Sequence, residues 1–252
     1  MGLQRREKIL ELLRENSSVT LKELVQIFPE YSSMTLRRDL EFFEKIGEAQ
    51  RVRGGAKYIG NDNAAEDIYE LREIKNRQAK EHIAALAAEF AETGRSIFID
   101  SGTTGMCLAR CLPDVPLSIL TSGPNVAVEV SKKFKPTVTL VGGLVNRQTL
   151  SVSGMQSIEF IKNFNIDIAF IVASAFSPES GFTGGNANEC ELKRSIIAKA
   201  KKTIVLVDSA KFSKSMPFTF ARLEDVNVLI TEEKPDEQIL EAAKSGNTQI
   251  LW

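Results

Sequence analysis

After residue 94 the chain repeats one pattern: a short, largely apolar run, a bend of small and hydroxyl residues, then a segment with helical spacing. The runs are Ser96 to Ile99, Leu117 to Leu120, Thr137 to Val141, Ile166 to Val172, Thr203 to Val207 and Val226 to Ile230. A strand with one wet face alternates apolar with polar residues, so runs without alternation suit strands covered on both faces. Such runs separated by helices predict an α/β fold with a mainly parallel sheet and helices on each side.

The first sixty residues follow a different rule. Ile9, Leu12 and Leu13 recur at helical spacing, with Arg5, Arg6, Lys8 and Arg14 left for solvent. A second helix opens on the capping box Thr20-Leu21-Lys22-Glu23, buries Leu21, Leu24, Val25 and Phe28, and ends at Pro29. A third starts at Ser32 or Ser33 and runs to Gly47, with Leu36, Leu40 and Phe43 inward and Thr35, Arg37, Arg38, Glu41 and Lys45 outward. Two extended runs then flank Arg53-Gly54-Gly55, where glycines can take positive φ and close a hairpin.

This is the outline of a winged helix-turn-helix. Arg37 and Arg38 near a helix start offer paired donors to guanine or charge to phosphate, with Ser33 and Thr35 beside them. Lys45 and the ribbon residues Arg51, Arg53, Gly54, Gly55 and Lys57 would meet phosphates or the adjacent minor groove. Residues 1 to 57 hold 11 basic and 9 acidic side chains, against a net charge of −1 for the whole chain, so any affinity for DNA is local. The alternative is a solvated helix face on a protein-binding module. The 252 residues thus divide into a winged helix-turn-helix over 1–58, a linker and the start of a connecting helix over 59–75, and an α/β domain over 76–252. The segment from Leu71 to Gly94 reads as one helix.

The ends of the apolar runs carry the chemistry. They lead into Asp100-Ser101-Gly102-Thr103-Thr104, Thr121-Ser122-Gly123, Gly142-Gly143, Ala173-Ser174-Ala175 and Asp208-Ser209-Ala210-Lys211. In open α/β sheets ligands gather at the carboxyl ends of strands. Amides and hydroxyls of residues 101 to 104, before a helix, suit a phosphate. Lys211 adds a cation, and Asp100 and Asp208 can accept sugar hydroxyls.

Other chemistries find little footing. No phosphate-binding G-x-x-x-x-G-K-[ST] occurs, nor a G-x-G-x-x-G between strand and helix, so neither ATP nor NAD is supported and no cofactor is expected. Cys107, Cys111 and Cys190 lack metal spacing, and His82, the single histidine, lies in plain helical sequence. No run reaches the length of a membrane span, which predicts a cytoplasmic protein.

Four stretches together resemble the DeoR family of bacterial sugar-metabolism regulators: TLRRDLEFFEKIGEAQRVRGGA, IDSGTTG, GNANECELKR and DSAKF, in the family's order. The resemblance implies a sensor domain akin to ribose-5-phosphate isomerases and coenzyme A transferases, a phosphorylated sugar as effector, duplex operator DNA as partner, and a homo-oligomer, dimer or tetramer. It adds Glu191 and Lys193, from ELKR, to the candidate ligand set of Asp100, Ser101, Gly102, Thr103, Thr104, Ser122, Gly142, Gly143, Asp208 and Lys211. The chain departs from the family at Ala173 to Phe176, where Gly-Ala-Asp-Gly is common, at Ser122, and at Gly184-Gly185. The expectation is a repressor of carbohydrate utilisation, released when the effector binds. The alternative is a phosphosugar isomerase with an accessory DNA- or protein-binding module.

Overall fold

The computed structural model describes residues 2–60 and 67–252, so residues 61–66 of the expected linker lie outside the described residues. The chain forms two compact units, Met1–Arg77 and Gln78–Trp252.

The first unit runs α1 (Gly2–Asn16), β1 (Ser18–Thr20), α2 (Leu21–Ile27), α3 (Ser33–Lys45), β2 (Ala49–Val52), β3 (Gly55–Tyr58) and α4 (Tyr69–Ile74). The strands form an antiparallel sheet in the order β1-β3-β2. The starts of α2 and α3 are set locally: Thr20 and Glu23 close a reciprocal capping box, and the Ser32 hydroxyl accepts from the Thr35 amide. Gly47, at φ +79°, turns the chain out of α3. Ile9, Leu13, Leu24, Leu36, Phe43 and Ala56 make one core, and α4 adds Leu71 and Ile74 to it.

Several local expectations need correction. Val25 is exposed rather than buried, because the short α2 turns only Leu24 fully inward. Arg5 and Arg6 do not face open solvent; both guanidiniums bind Asp39, which is buried on α3. Of the two ribbon glycines only Gly54 has positive φ, at +85°. Gly55 is required for another reason: a Cβ there would stand 2.1 Å from the Val19 carbonyl oxygen, so β1 and β3 could not pair. The helix expected over Leu71 to Gly94 is broken at Asn76, whose φ is 52°, a left-handed conformation that asparagine tolerates.

In the second unit α5 (Arg77–Ala88) precedes β4 (Ser96–Ile99), α6 (Thr103–Cys111), β5 (Ser118–Thr121), α7 (Pro124–Val130) and β6 (Thr137–Leu140). Then follow β7 (Leu144–Asn146), β8 (Ser151–Ser153), α8 (Met155–Ile161), β9 (Ile168–Val172), β10 (Ala175–Ser177), β11 (Gly181–Gly184) and α9 (Ala187–Ile197). The chain ends with β12 (Lys202–Leu206), β13 (Phe218–Ala221), β14 (Val228–Ile230), α10 (Glu237–Ser245) and β15 (Gln249–Leu251).

Seven strands form one sheet in the order β15-β14-β12-β9-β4-β5-β6, with every neighbouring pair parallel. Both faces are covered by apolar cores, one around Ile99, Phe170 and Leu206 and one around Phe98, Ile171, Val205 and Phe182, as largely apolar runs demand. A smaller antiparallel sheet, β10-β11-β13, was not legible as separate strands. Its inner side is an aromatic group in which Phe176 stacks on Phe182 at 4.5 Å between centroids.

Candidate functional site

The strand order fixes where the second unit can hold a ligand. From β4 the chain winds outward through β5 to β6, then returns to place β9 on the other side of β4 and winds the opposite way to β15. Strand order therefore reverses between β4 and β9, and the crevice at their carboxyl ends is the position where open α/β sheets bind ligands.

Asp100 ends β4 at this switch point and is 2% exposed. Its Oδ1 accepts from the Ser101 amide at 2.9 Å and the Ser122 hydroxyl at 3.2 Å. Its Oδ2 accepts from the Val172 amide at 3.0 Å and faces the Lys193 ammonium at 3.0 Å. Lys193 reaches in from α9, donates to the Val172 carbonyl at 2.5 Å, and lies 4.9 Å from the centre of the Phe220 ring. Burial alone would lower the pKa of this ammonium, but Asp100 and Glu189 overcome it and hold the lysine above its ordinary value.

A second pair stands two strands over, with β9 between. Asp208, buried at the end of β12, faces the Lys211 ammonium at 3.2 Å, and Lys211 donates to the Ala173 carbonyl at 3.0 Å. Both lysines thus hold consecutive carbonyls, Val172 and Ala173, of the chain leaving β9.

The loop from Ser101 to Thr104 enters α6 through Gly102, at φ +109°. The Thr103, Thr104 and Gly105 amides belong to the first turn of that helix, where N–H groups lack intrahelical acceptors. The Thr104 hydroxyl oxygen is fully buried and makes no hydrogen bond among the described residues. Buried hydroxyls nearly always have a partner, so this one marks an unmet acceptor or donor.

Not every expected ligand residue gathers here. Glu191 is exposed and paired with Arg194 on the outer face of α9. Glu189, two residues earlier and one turn before Lys193, turns inward instead. Its Oε1 accepts from Asn146 at 3.0 Å, Thr149 at 2.7 Å and Ser151 at 2.6 Å. The i, i+4 relation of Glu189 to Lys193 was the available signal. Gly142 and Gly143 are exposed beyond β6, and the Gly142 carbonyl is taken by Ser157. Gly143 has a packing reason, since a Cβ would come 2.4 Å from the Ser157 hydroxyl.

The first unit offers a basic face. Ser33, Arg37, Arg38 and Lys45 are exposed on α3, while Thr35 is half-buried and bonded to the Ser32 cap. Arg53 and Gly54 form the two-residue turn between β2 and β3, and Lys57 is exposed on β3. Among the described residues Arg37, Arg38, Arg53 and Lys57 make no ion pair, whereas Arg51 is held by Glu41 at 2.9 Å. The face is braced from behind: Asp39 clamps Arg5 at 2.5 Å and Arg6 at 2.9 Å, tying α1 to α3. Arg5 also lies over Tyr31 and Arg6 over Phe42, at 4.1 and 4.0 Å.

Two family models match the chain: a DeoR-like helix-turn-helix domain over residues 5–61 and a DeoR C terminal sensor domain over residues 75–233. The HTH-type transcriptional regulator YulB of Bacillus subtilis, itself uncharacterized, is 30% identical over 247 residues, covering 98% of this chain and 95% of that one. The transcriptional repressor AccR of Agrobacterium fabrum is 30% identical over 236 residues, covering 90% and 88%. Among solved structures, ribose 5-phosphate isomerase A from Methanocaldococcus jannaschii aligns with 56% of each chain at 16% identity and a TM-score of 0.41. No helix among the described residues is long and apolar enough to cross a membrane.

Proposed function

Since the chain belongs to the DeoR family of helix-turn-helix transcriptional regulators, we propose that it is a cytoplasmic repressor of a carbohydrate-utilisation operon whose operator affinity falls when a phosphorylated sugar fills the β4/β9 crevice. In this reading α3 enters the major groove with Arg37 and Arg38, and the Arg53-Gly54 turn and Lys57 follow the backbone. The sugar phosphate lies across the α6 start, its anion on the Thr103 to Gly105 amides and its hydroxyls toward Asp208. The protein acts as a homo-oligomer, so that effector contacts can favour one spacing of the basic faces over another.

One observation carries the choice of sensor over enzyme. A carboxylate that moves a proton needs a free lone pair, and an ionised carboxylate has about four lone-pair sites. Asp100 has donors from Ser101, Ser122, Val172 and Lys193 on its two oxygens. It is built to hold the crevice in shape rather than to turn substrate over.

The test has two arms. Operator duplex, selected from random sequence by the wild-type protein, is titrated in the presence of a panel of aldose and ketose phosphates; a repressor of this type loses affinity with at least one. Lys211→Ala keeps its affinity for DNA alone and binds that sugar phosphate more weakly by calorimetry. A panel that leaves operator affinity untouched, or measurable isomerisation of a panel member, defeats the reading.

A further inference from the structure

One edge of the large sheet is open. β6 pairs with β5 on one side, and no strand among the described residues pairs with its other side. The Thr137 and Val141 amides donate to Leu117 and Thr121 on the β5 side. Backbone groups alternate along a strand, so those of Val138 and Leu140 point away from the sheet. Unpaired edges invite another strand, and proteins usually blunt them with charge or proline inside the strand. Thr137-Val138-Thr139-Leu140 contains neither.

The side chains around this edge are unusually apolar for a surface. Phe134, just before β6, is 95% exposed, and Leu144, just after it, is 70% exposed. Val128, Leu140 and Val145 are exposed beside them. Phe134 is not a loose tip: the Phe134 and Lys135 amides both donate to the Asp114 carboxylate, at 3.1 and 2.9 Å, and Lys133 donates to the Arg110 carbonyl. The backbone that carries this solvated ring is thus held in place, and exposed apolar groups gathered together mark contact surfaces.

We infer that β6 is the pairing edge between two copies of this chain, joined antiparallel about a two-fold axis at Thr139, so that the two sheets become one. The register follows from the backbone. With Thr139 on the axis, Val138 of each copy exchanges both of its backbone hydrogen bonds with Leu140 of the other. Phe134 and Leu144 flank the strand at its two ends, so antiparallel pairing brings the Phe134 end of one copy to the Leu144 end of the other, apolar group near apolar group. Lys132, Lys133 and Lys135 of the two copies fall at opposite ends of the joined strands, so like charges do not meet. The other edge, β15, has Trp252 exposed at one end but Asn247 and Thr248 at the other, and a two-fold axis there would set aromatic against polar. A closed two-fold contact is also the commonest way identical chains associate. The inference stands independently of what the crevice binds.

Thr139 residues facing across the axis form a non-hydrogen-bonded pair, with Cα atoms about 4.5 Å apart, within disulfide range. In a full chain with Cys111→Ser, because Cys111 is exposed, Thr139→Cys oxidises to a covalent dimer. Thr137→Cys does not, since its copies lie about 13 Å apart in this register. In sedimentation the unaltered chain is dimeric, and Phe134→Asp with Leu144→Asp weakens association by about tenfold or more. Circular dichroism checks that the variants are folded; both replaced side chains are exposed, so the fold does not rest on them. A monomeric wild-type chain, equal cross-linking at positions 137 and 139, or unchanged association of the double variant overturns the inference.

Discussion

The Lys193 ammonium stands 3.0 Å from the Asp100 carboxylate, and both groups are almost sealed from water. Breaking such a pair strands one charge in a poor solvent, while removing both often costs little. Lys193→Met is therefore expected to destabilise the second unit by about 3 to 5 kcal/mol. Lys193→Met with Asp100→Asn recovers much of that loss. Trp252, the single tryptophan, lies in this unit, and its fluorescence in urea reads both values. A double variant as weak as the single one would show that packing, not charge, holds the site.

Asp39 makes the corresponding prediction for the first unit. It is the shared anchor of Arg5 and Arg6, and Asp39→Ala frees two guanidiniums at once. The expected cost is about 3 kcal/mol, in the range for breaking a buried pair. Tyr31, Tyr58 and Tyr69 all belong to this unit, so tyrosine emission shows the loss while Trp252 does not. A parallel fall in both signals would mean the two units do not unfold separately.

Glu48 gives a pH dependence of definite sign. Burial pushes its carboxyl up, Lys75 and Arg14 only partly offset this, and Oε2 makes no hydrogen bond among the described residues, with Arg14 standing 3.7 Å away. A carboxyl whose folded pKa exceeds its unfolded one contributes stability that is complete below the unfolded value and disappears as pH rises through the folded value. Ionised Glu48 therefore weakens the unit at neutral pH. Glu48→Gln raises the urea midpoint at pH 7, and the gain fades as pH falls through the folded value and is gone below about 4. A gain of equal size at both pH values would assign the effect to something other than titration.

Arg37→Ala and Lys57→Ala separate two kinds of DNA contact. If Arg37 pairs with a base, its loss costs about 1 to 3 kcal/mol on the selected operator and far less on unrelated duplex. Lys57→Ala weakens both alike and reduces the salt slope by about 1. Both residues are exposed, so folding is unaffected. Equal losses on both duplexes for Arg37→Ala would make it a phosphate contact.

Gly55→Ala tests the wing through packing. The added methyl meets the Val19 carbonyl oxygen, and such overpacking costs about 1 to 3 kcal/mol. Operator affinity falls with it because β3 must move. Unchanged tyrosine-detected stability would show that β1 gives way freely.

What was readable in the sequence was what local chemistry decides. The Thr20-Glu23 box, the Ser32 cap and Gly47 each act within a few residues, and the helices begin and end beside them. The apolar runs stand as strands, shifted by a residue or two: Leu117 to Leu120 became Ser118–Thr121, and Thr203 to Val207 became Lys202–Leu206. The shift leaves the core unchanged because both faces are buried. What escaped depends on separations the sequence does not display. Arg5 and Arg6 meet Asp39 across more than thirty residues, so their charge looked like a solvated face. Choosing Glu189 over Glu191 required the rotational phase of α9, and that phase is set by packing against β8 and β13. The break at Asn76 lies between good helix formers and turns on a single left-handed residue.

The grip of Lys193 and Lys211 on two adjoining carbonyls has a mechanical meaning. Each ammonium acts as a rivet through the same short length of main chain, and neither can be drawn toward a bound anion without uncovering an oxygen beside the other's. A pull on one rivet loosens the seam that the second one closes, so even a small displacement at either lysine is delivered to the chain between Val172 and Phe176, where the aromatic stack begins.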